Sequence, residues 1–322
     1  MRNISFNGVE NELKRVEEQF ESHLITETPL IHKVAKYVIS SGGKRIRPIL
    51  LIVSAKICGY TGDSHIPLAV VIEFIHTATL LHDDVVDNAP LRRGKSSANI
   101  VFGSEASVLV GDYLFAKSFK ILSELNNSEI IKAYSDATTL MAEGEVKELV
   151  KTADVKTTEE DYLDIIIKKT AVLFACASRA GAIISGENGA CINNLYDYGL
   201  NIGIAFQLMD DALDYISNEE FGKFIGNDLK EGKLTMPLIH AIERADKKEK
   251  DIISEIIYKK KLTAKDLKTV LNLVKKYGSI EYTVSRAKES IEKAKKNLDI
   301  FPDSEYKTSL IDIANYIIER KL

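Results

Sequence analysis

The sequence predicts an all-α protein, one domain over residues 1–322, with a central helical bundle around an apolar tunnel. Three observations carry this. Long segments repeat apolar residues every three and four positions, strand-like alternation is scarce, and only six prolines interrupt the chain. The middle, roughly 97–217, is apolar on more than one side. Its stretch "TAVLFACASRAGAIISG" is almost wholly small and apolar, so that helix must be surrounded by others or line an apolar cavity. No linker rich in Gly, Ser or Pro divides the chain, and no repeat of fixed period is visible.

The periodicity places helices at about 8–25, 30–41, 46–59, 65–88, 97–125, 128–151, 158–186, 190–217, 233–245, 263–277, 279–298 and 304–320. Pro29, Pro48 and Pro237 suit first turns, where a missing N–H costs little. The apolar run Ile72 to Leu81 reads as buried helix, and Pro90 ends the helix that carries it. The stretch "EKDIISEIIYKKKLTAKDLKTVLNLVKKYG" is far more charged and reads as a solvated outer layer rather than a separate domain.

Composition excludes several classes. A net charge of −4 offers no electrostatic case for nucleic acid. Cys58, Cys176 and Cys191 are scattered, without metal spacing, and read as reduced packing residues in a cytoplasmic protein. The polar, acidic N-terminus is unlike a signal peptide, no stretch reaches about 18 uninterrupted apolar residues, and "IIERKL" is no lipidation signal.

The chemistry lies in two acidic turns. "LLHDDVVDNAPLRRGKSSAN" puts Asp83 and Asp87 four apart on one helix face, with Asp84 about 100° around. Carboxylates about 4 Å apart repel by roughly 4 kcal/mol at an effective dielectric of ~20. A divalent cation is the obvious means of offsetting that repulsion. "FQLMDDALDY" repeats the spacing with Asp210, Asp211 and Asp214 in another apolar helix, and two such coincidences argue against solvated helix ends. All-carboxylate sites select hard cations, and magnesium commonly takes a few carboxylates plus substrate phosphates. A di-iron bundle would need two Glu-x-x-His strings; there is one, Glu73 to His76.

Cations accompany both turns. "SSGGKRIRP" supplies Lys44, Arg45 and Arg47; Arg92 and Arg93 follow the first turn. Lys168, Lys169 and Thr170 precede the most apolar helix, and Lys223, Lys230 and Lys233 follow the second turn. Beside magnesium-type motifs these suit phosphate oxygens. His76, two turns before Asp83, falls on a similar face and is assigned to ligand.

In order and spacing, "GGKRIRP", "LLHDDVVDNAPLRRGKSSAN", "GDYLFAKSF", "AEGEV", "KKTAVLFACA", "GIAFQLMDDALDY" and "GKFIGNDLKEGKLTMPLIHA" resemble the trans-polyprenyl diphosphate synthase family, most of all its bacterial octaprenyl branch. The resemblance covers nearly the whole chain. It implies the isoprenoid synthase fold and a prenyltransferase that condenses isopentenyl diphosphate onto an allylic diphosphate. Asp83, Asp84, Asp87, Asp210, Asp211 and Asp214 would hold magnesium, three ions in the substrate complex. Arg92 would contact the allylic diphosphate; Lys44, Arg47, His76 and Arg93 would bind isopentenyl diphosphate. Lys169, Thr170, Gln207, Lys223 and Lys233 would line the allylic side, with Thr170 and Gln207 near the carbocation left by departing pyrophosphate.

Chain length follows from what lies behind the metal turn. Thr79 and Ala78, four and five residues before Asp83, face the growing tail and are small. They predict an open tunnel and a product of about thirty to forty carbons, its burial favourable by about 0.8 kcal/mol per methylene. Tyr134, Phe115 and Phe119 are candidates for the tunnel floor. A farnesyl or geranylgeranyl synthase is the rival enzyme. A non-catalytic subunit of a heteromeric synthase should have lost aspartates that are all present here, and a terpene cyclase usually carries a different second motif. The resemblance further implies a homodimer, a product serving quinone side chains, and transient contact with a membrane surface at product release.

Overall fold

The computed structural model describes residues 9–216, 226–259 and 262–319. Apart from one two-stranded hairpin, the regular elements among these residues are helical. In chain order they begin with α1 Glu10–His23, α2 Pro29–Ser40, α3 Ile46–Ile57 and α4 His65–Val86. The hairpin β1 Leu91–Arg92 and β2 Lys95–Ser96 follows, then α5 Ala98–Phe102, α6 Ser104–Glu124 and α7 Ser128–Lys151. Next are α8 Glu159–Ile166, a π-helical turn Ile167–Ala171, α9 Val172–Ile184, α10 Gly189–Asp214 and α11 Asn227–Lys230. The last are α12 Met236–Arg244, α13 Lys247–Ile257, α14 Ala264–Lys276, α15 Ser279–Lys296 and α16 Glu305–Glu319.

Two compact units divide these elements. The first takes the chain up to Thr138 with Cys176–Tyr196 and Ile300–Leu310. Helix α4 forms its core, with α1, α3 and α6 packed on it. Length and composition alone would let α4 cross a membrane, yet 72% of its apolar window is buried. It is a core helix, apolar all round because its neighbours cover several faces. Phe20 of α1 and Phe74 of α4 are both fully buried, their ring centroids 5.6 Å apart.

The second unit takes Thr139–Ala175, Asp197–Asp299 and the chain from Ile311 onward. Here α12 packs against α8, α14 and α15 through Met236, Leu238, Ile239 and Ala241. Helix α8 starts at a reciprocal cap in which Thr158 and Asp161 satisfy each other's backbone N–H.

Four expectations change. The helix of 97–125 is broken at Gly103, whose φ of +91° an L-residue side chain would oppose. The helix with the first acids stops at Val86, and the chain turns into the hairpin. The helix of 158–186 holds a π turn at its middle. Helix α13, read only as charged surface, forms behind an Asp246–Glu249 capping box, a start signal the sequence displays.

Candidate active site

In the first unit, α4 delivers Asp83 and Asp87 to one partly exposed face and turns Asp84 inward, leaving it 1% exposed. Arg92 reaches back across the hairpin and donates from Nε (2.8 Å) and Nη2 (2.5 Å) to Asp84 Oδ1. The helix end is tied as well: Asn99 Nδ2 and the Ala89 N–H both donate to the Asp84 carbonyl.

The hairpin explains how Arg92 and Arg93 part company. Leu91 pairs with Ser96 and Arg92 with Lys95, so Arg93 and Gly94 form a two-residue turn. Their φ values, +53° and +78°, are those of a primed hairpin turn. Holding an arginine there costs energy, as do Arg45 at +50° and Asn88 at +48° nearby in sequence to these motifs, and such strain gathers at functional sites. The turn lays the Arg93 guanidinium across Gly43, where a Cβ would stand 3.0 Å from Nη1. The glycine pair of "SSGGKRIRP" thus makes room for a cation.

Arg45 is spent on structure. It donates to Glu17 (2.8 Å), to Glu73 (2.7 Å) and to the Ile39 carbonyl (3.0 Å). Glu73, the glutamate of the lone Glu-x-x-His string, is therefore taken up by an arginine. Lys44 is exposed and Arg47 half-buried at the start of α3. Burial, then Arg47, Arg93, Arg92 and Arg45, hold the His76 imidazole well below its ordinary range. It is neutral at pH 7, able to donate one N–H without adding a charge. One anion-seeking cluster thus contains His76, Arg47, Arg92 and Arg93.

In the second unit, Asp211 is the inward aspartate, 3% exposed. The Tyr162 hydroxyl donates to its Oδ2 at 2.5 Å and Gln207 Nε2 to its Oδ1 at 2.8 Å. Thr170 Oγ1 donates in turn to Gln207 Oε1 at 3.0 Å. Burial raises the Asp211 carboxyl to about 7, against the two bonds, which favour its charged form. Burial and then Asp211 push the Tyr162 phenol well up, so it remains a donor. Asp214 accepts from the Asn227 and Asp228 N–H groups at 3.3 and 3.2 Å. Asp228 is a fourth acid beside this turn, held well above the usual carboxylate range by burial, Asp211 and Asp214.

Lys169 and Thr170 sit on the π turn, a helix defect found often at functional sites. Glycines flank it closely. A Cβ at Gly144 would lie 2.6 Å from the Lys169 backbone nitrogen, and one at Gly203 would run into Ala171. Lys169 is paired with Glu145 (2.8 Å) and Glu148 (2.6 Å); Lys233 lies 2.9 Å from Glu231 and 4.0 Å from Glu148. Lys223 falls outside the described residues. Tyr162, Asp228, Glu145, Glu148 and Glu231 were not assigned from sequence. The spacing of Glu145 and Glu148, three apart on α7, was a readable signal; a lone core tyrosine such as Tyr162 carries none.

Of the residues that the sequence assigns to the tail, Ala78 is fully buried and Thr79 donates to the His76 carbonyl at 2.8 Å. Tyr134 is fully buried and its hydroxyl donates to the Leu68 carbonyl at 3.0 Å. Phe115 stacks on His82, centroids 6.0 Å apart, and Phe119 is at the surface, 36% exposed.

Among the described residues no three His, Cys, Asp or Glu side chains are already gathered as metal ligands. The donor set still suits a hard divalent cation: the outer aspartates offer oxygen only, and magnesium habitually takes its remaining positions from phosphates and water. Asp84 and Asp211 are engaged by Arg92 and by Tyr162 with Gln207, so each inner aspartate also orients its turn.

Such a fold, carrying two acidic turns each with its own cations, suits the binding of phosphorylated substrates through hard divalent cations. The sequence profile of the polyprenyl synthetase family matches residues 28–274. An octaprenyl diphosphate synthase of Haemophilus influenzae is 41% identical over 311 residues, 96% of this chain and 94% of that one. A decaprenyl diphosphate synthase structure from Rhodobacter capsulatus superimposes with a TM-score of 0.93 at 40% identity, covering 97% of each chain. A Caulobacter crescentus polyprenyl synthase, complexed with calcium and isoprenyl diphosphate, gives 0.93 at 39% identity over 98% of this chain and 96% of that one. The chain belongs to the polyprenyl synthetase family and is a prenyltransferase.

Proposed function

We propose that this enzyme is a long-chain trans-polyprenyl diphosphate synthase. It adds isopentenyl diphosphate repeatedly to an allylic diphosphate such as farnesyl diphosphate, to about forty carbons, each buried methylene worth about 0.8 kcal/mol. The observation that carries the reading is the recurrence of one arrangement in both units: outer aspartates left to one face, an inner aspartate buried and tied, and cations close by. The names of the Haemophilus and Rhodobacter relatives support the long product.

The roles follow from charge. Asp83 and Asp87 with Asp84 behind them, and separately Asp210 and Asp214 with Asp211 behind them, would hold magnesium, which would supply charge neutralisation for the allylic diphosphate. Arg92, Lys169 and Lys233 grip its oxygens, the lysines exchanging glutamate for phosphate; Lys223 is assigned there too. Lys44, Arg47, Arg93 and neutral His76 hold isopentenyl diphosphate. When the allylic C–O bond breaks, these fixed charges meet the electrons on the departing pyrophosphate, an electrostatic preorganisation that costs no rearrangement. Thr170 and Gln207 face the carbocation. The double bond of isopentenyl diphosphate attacks it, and the proton leaves to pyrophosphate.

Ala78 and Thr79 open the way for the tail. Tyr134 is hooked to α4 at Leu68, fifteen residues or roughly 22 Å of helix below Asp83, and is assigned to the tunnel floor. Tyr134→Ala is expected to lengthen the product; an unchanged distribution would remove Tyr134 from the ruler. A homodimer is supported by the exposed Ile100, Val101 and Leu109 of α5 and α6, which a second copy would cover. One catalytic domain, cytoplasmic location, delivery to a quinone and brief contact with a membrane surface complete the proposal.

The test is product analysis with purified protein, magnesium, farnesyl diphosphate and labelled isopentenyl diphosphate, sized as prenols. Products of about thirty to forty carbons support the reading. Products ending at fifteen or twenty carbons refute the open tunnel and favour the short-chain alternative. No incorporation by folded protein with several primers points to a subunit of a heteromeric synthase.

A further inference from the structure

We propose that Tyr162 is a positioning residue for the reacting allylic carbon: through Asp211 and Gln207 it fixes which side of the Thr170 hydroxyl the substrate meets. The inference rests on the placement of Thr170 at the carbocation given above.

Four side chains of the second unit form one hydrogen-bonded chain, Tyr162 to Asp211 to Gln207 to Thr170, with links of 2.5, 2.8 and 3.0 Å. Its direction is dictated by chemistry. The Tyr162 hydroxyl lies on one Asp211 oxygen, and the amide nitrogen of Gln207, which can only donate, lies on the other. The amide oxygen of Gln207 must then face Thr170 and accept the hydroxyl hydrogen. The Thr170 oxygen is left with its lone pairs unclaimed by the chain, the orientation that stabilises positive charge on carbon. With Gln207 reversed, its NH2 would take those lone pairs and the hydroxyl hydrogen would point outward, toward a cation.

Tyr162 itself is 3% exposed and lies on α8, eight residues before Thr170 on the π turn that continues the helix. Nothing in its role requires contact with substrate. Its removal leaves Asp211 Oδ2 without this donor, and the carboxyl no longer dictates the amide's direction. The consequence falls on turnover rather than on binding, because the diphosphate is gripped by lysines and arginine elsewhere.

The experiment is a double-mutant cycle on the first condensation, farnesyl plus isopentenyl diphosphate, with Tyr162→Phe, Thr170→Val and the pair. Each single variant is expected to lose about tenfold in kcat, the size of one hydrogen bond's worth of barrier. The allylic KM should stay within about twofold, and the pair should be no slower than the slower single variant. Gln207→Met, which severs the chain at its middle, should cost as much and make Tyr162→Phe silent when the two are combined. Multiplying losses in the Tyr162/Thr170 pair, or a raised KM with kcat intact, would show Tyr162 as structural support only and overturn the proposal. Normal turnover in Thr170→Val would instead overturn the placement of Thr170, and the proposal with it. Circular dichroism melts verify folding; should Tyr162→Phe fail to fold, Tyr162→His, which keeps a ring and an N–H, goes through the same cycle.

Discussion

At the end of α4, Asp84 is 1% exposed and takes two bonds from the guanidinium of Arg92. At the end of α10, its counterpart Asp211 is 3% exposed and takes bonds from a phenol and an amide. The spacing D-D-x-x-D sets the same geometry in both places: two outer carboxylates a turn apart and an inner one about 100° around. Spacing does not set what the inner carboxylate meets. A charged partner supports a buried anion directly, whereas neutral donors leave it resisting desolvation, and Asp211 accordingly rises to about 7. One motif thus serves as an anchored turn in the first unit and as the hinge of a neutral hydrogen-bonded chain in the second.

The largest effects should separate outer from inner aspartates. Asp83→Asn and Asp210→Asn are each expected to lower kcat by about 10²–10³, the scale for removing one preorganised charge-stabilising group. Added magnesium should not restore it. A loss of only a few-fold in steady-state assays would mean that the outer aspartates do not carry the metal, and the likeness of the two turns would be one of sequence only.

The next test breaks the comparison through stability. Arg92→Ala leaves Asp84 a buried, unpaired charge and should cost about 3 kcal/mol in urea unfolding, the lower end for a broken buried pair because Arg92 is itself 30% exposed. Tyr162→Phe removes a neutral donor and should cost about 1–2 kcal/mol. Equal losses would show that charged and neutral support are equivalent here.

Much of this was legible in advance. The all-α class follows from the three-and-four periodicity, and both acidic turns from their spacing in apolar runs. Arg92 and Arg93 were visible as a pair assigned to different substrates, but the turn that points them apart was not. The division comes from Arg93 adopting φ +53° in the hairpin turn, a conformation propensity disfavours. The π turn was also hidden, since one inserted residue barely disturbs the apolar pattern of 158–186. Tyr162 looked like any core aromatic; only the burial of Asp211 gives its hydroxyl a task. Glu148 could have been found, lying four residues after Gly144 on the face that meets Lys169.

Gly144 and Gly203 sharpen the comparison, because the first unit has no such π turn among its described residues. Gly203→Ala would press its methyl on Ala171 and should cost about 1–3 kcal/mol. Thr170, one residue away, should shift with it, lowering kcat while leaving binding of isopentenyl diphosphate, assigned to the first unit, within about twofold of wild type (a factor of two being ~0.4 kcal/mol). If isothermal titration shows that binding weakened as strongly as turnover, the separation of roles is wrong.

The smallest effect is the most direct reading of the difference, a stability slope of opposite sign in the two units. Asp211 goes from an ordinary 3.8 when unfolded to about 7 when folded. The native state then holds a proton that the unfolded chain releases, so this contribution is full below about pH 4 and is lost as pH rises through 7. Asp228 has the same sign. His76 is the reverse: held below 6.5 when folded, it contributes fully above that pH and loses its contribution as pH falls. Urea midpoints taken without divalent cation or substrate should therefore fall less steeply between pH 4 and 7 in Asp211→Asn than in wild type. His76→Gln should do the opposite, removing the loss on the acid side. Should both variants keep the wild-type profile, neither burial nor the arginine cluster sets these groups' charge, and the two units would be held alike.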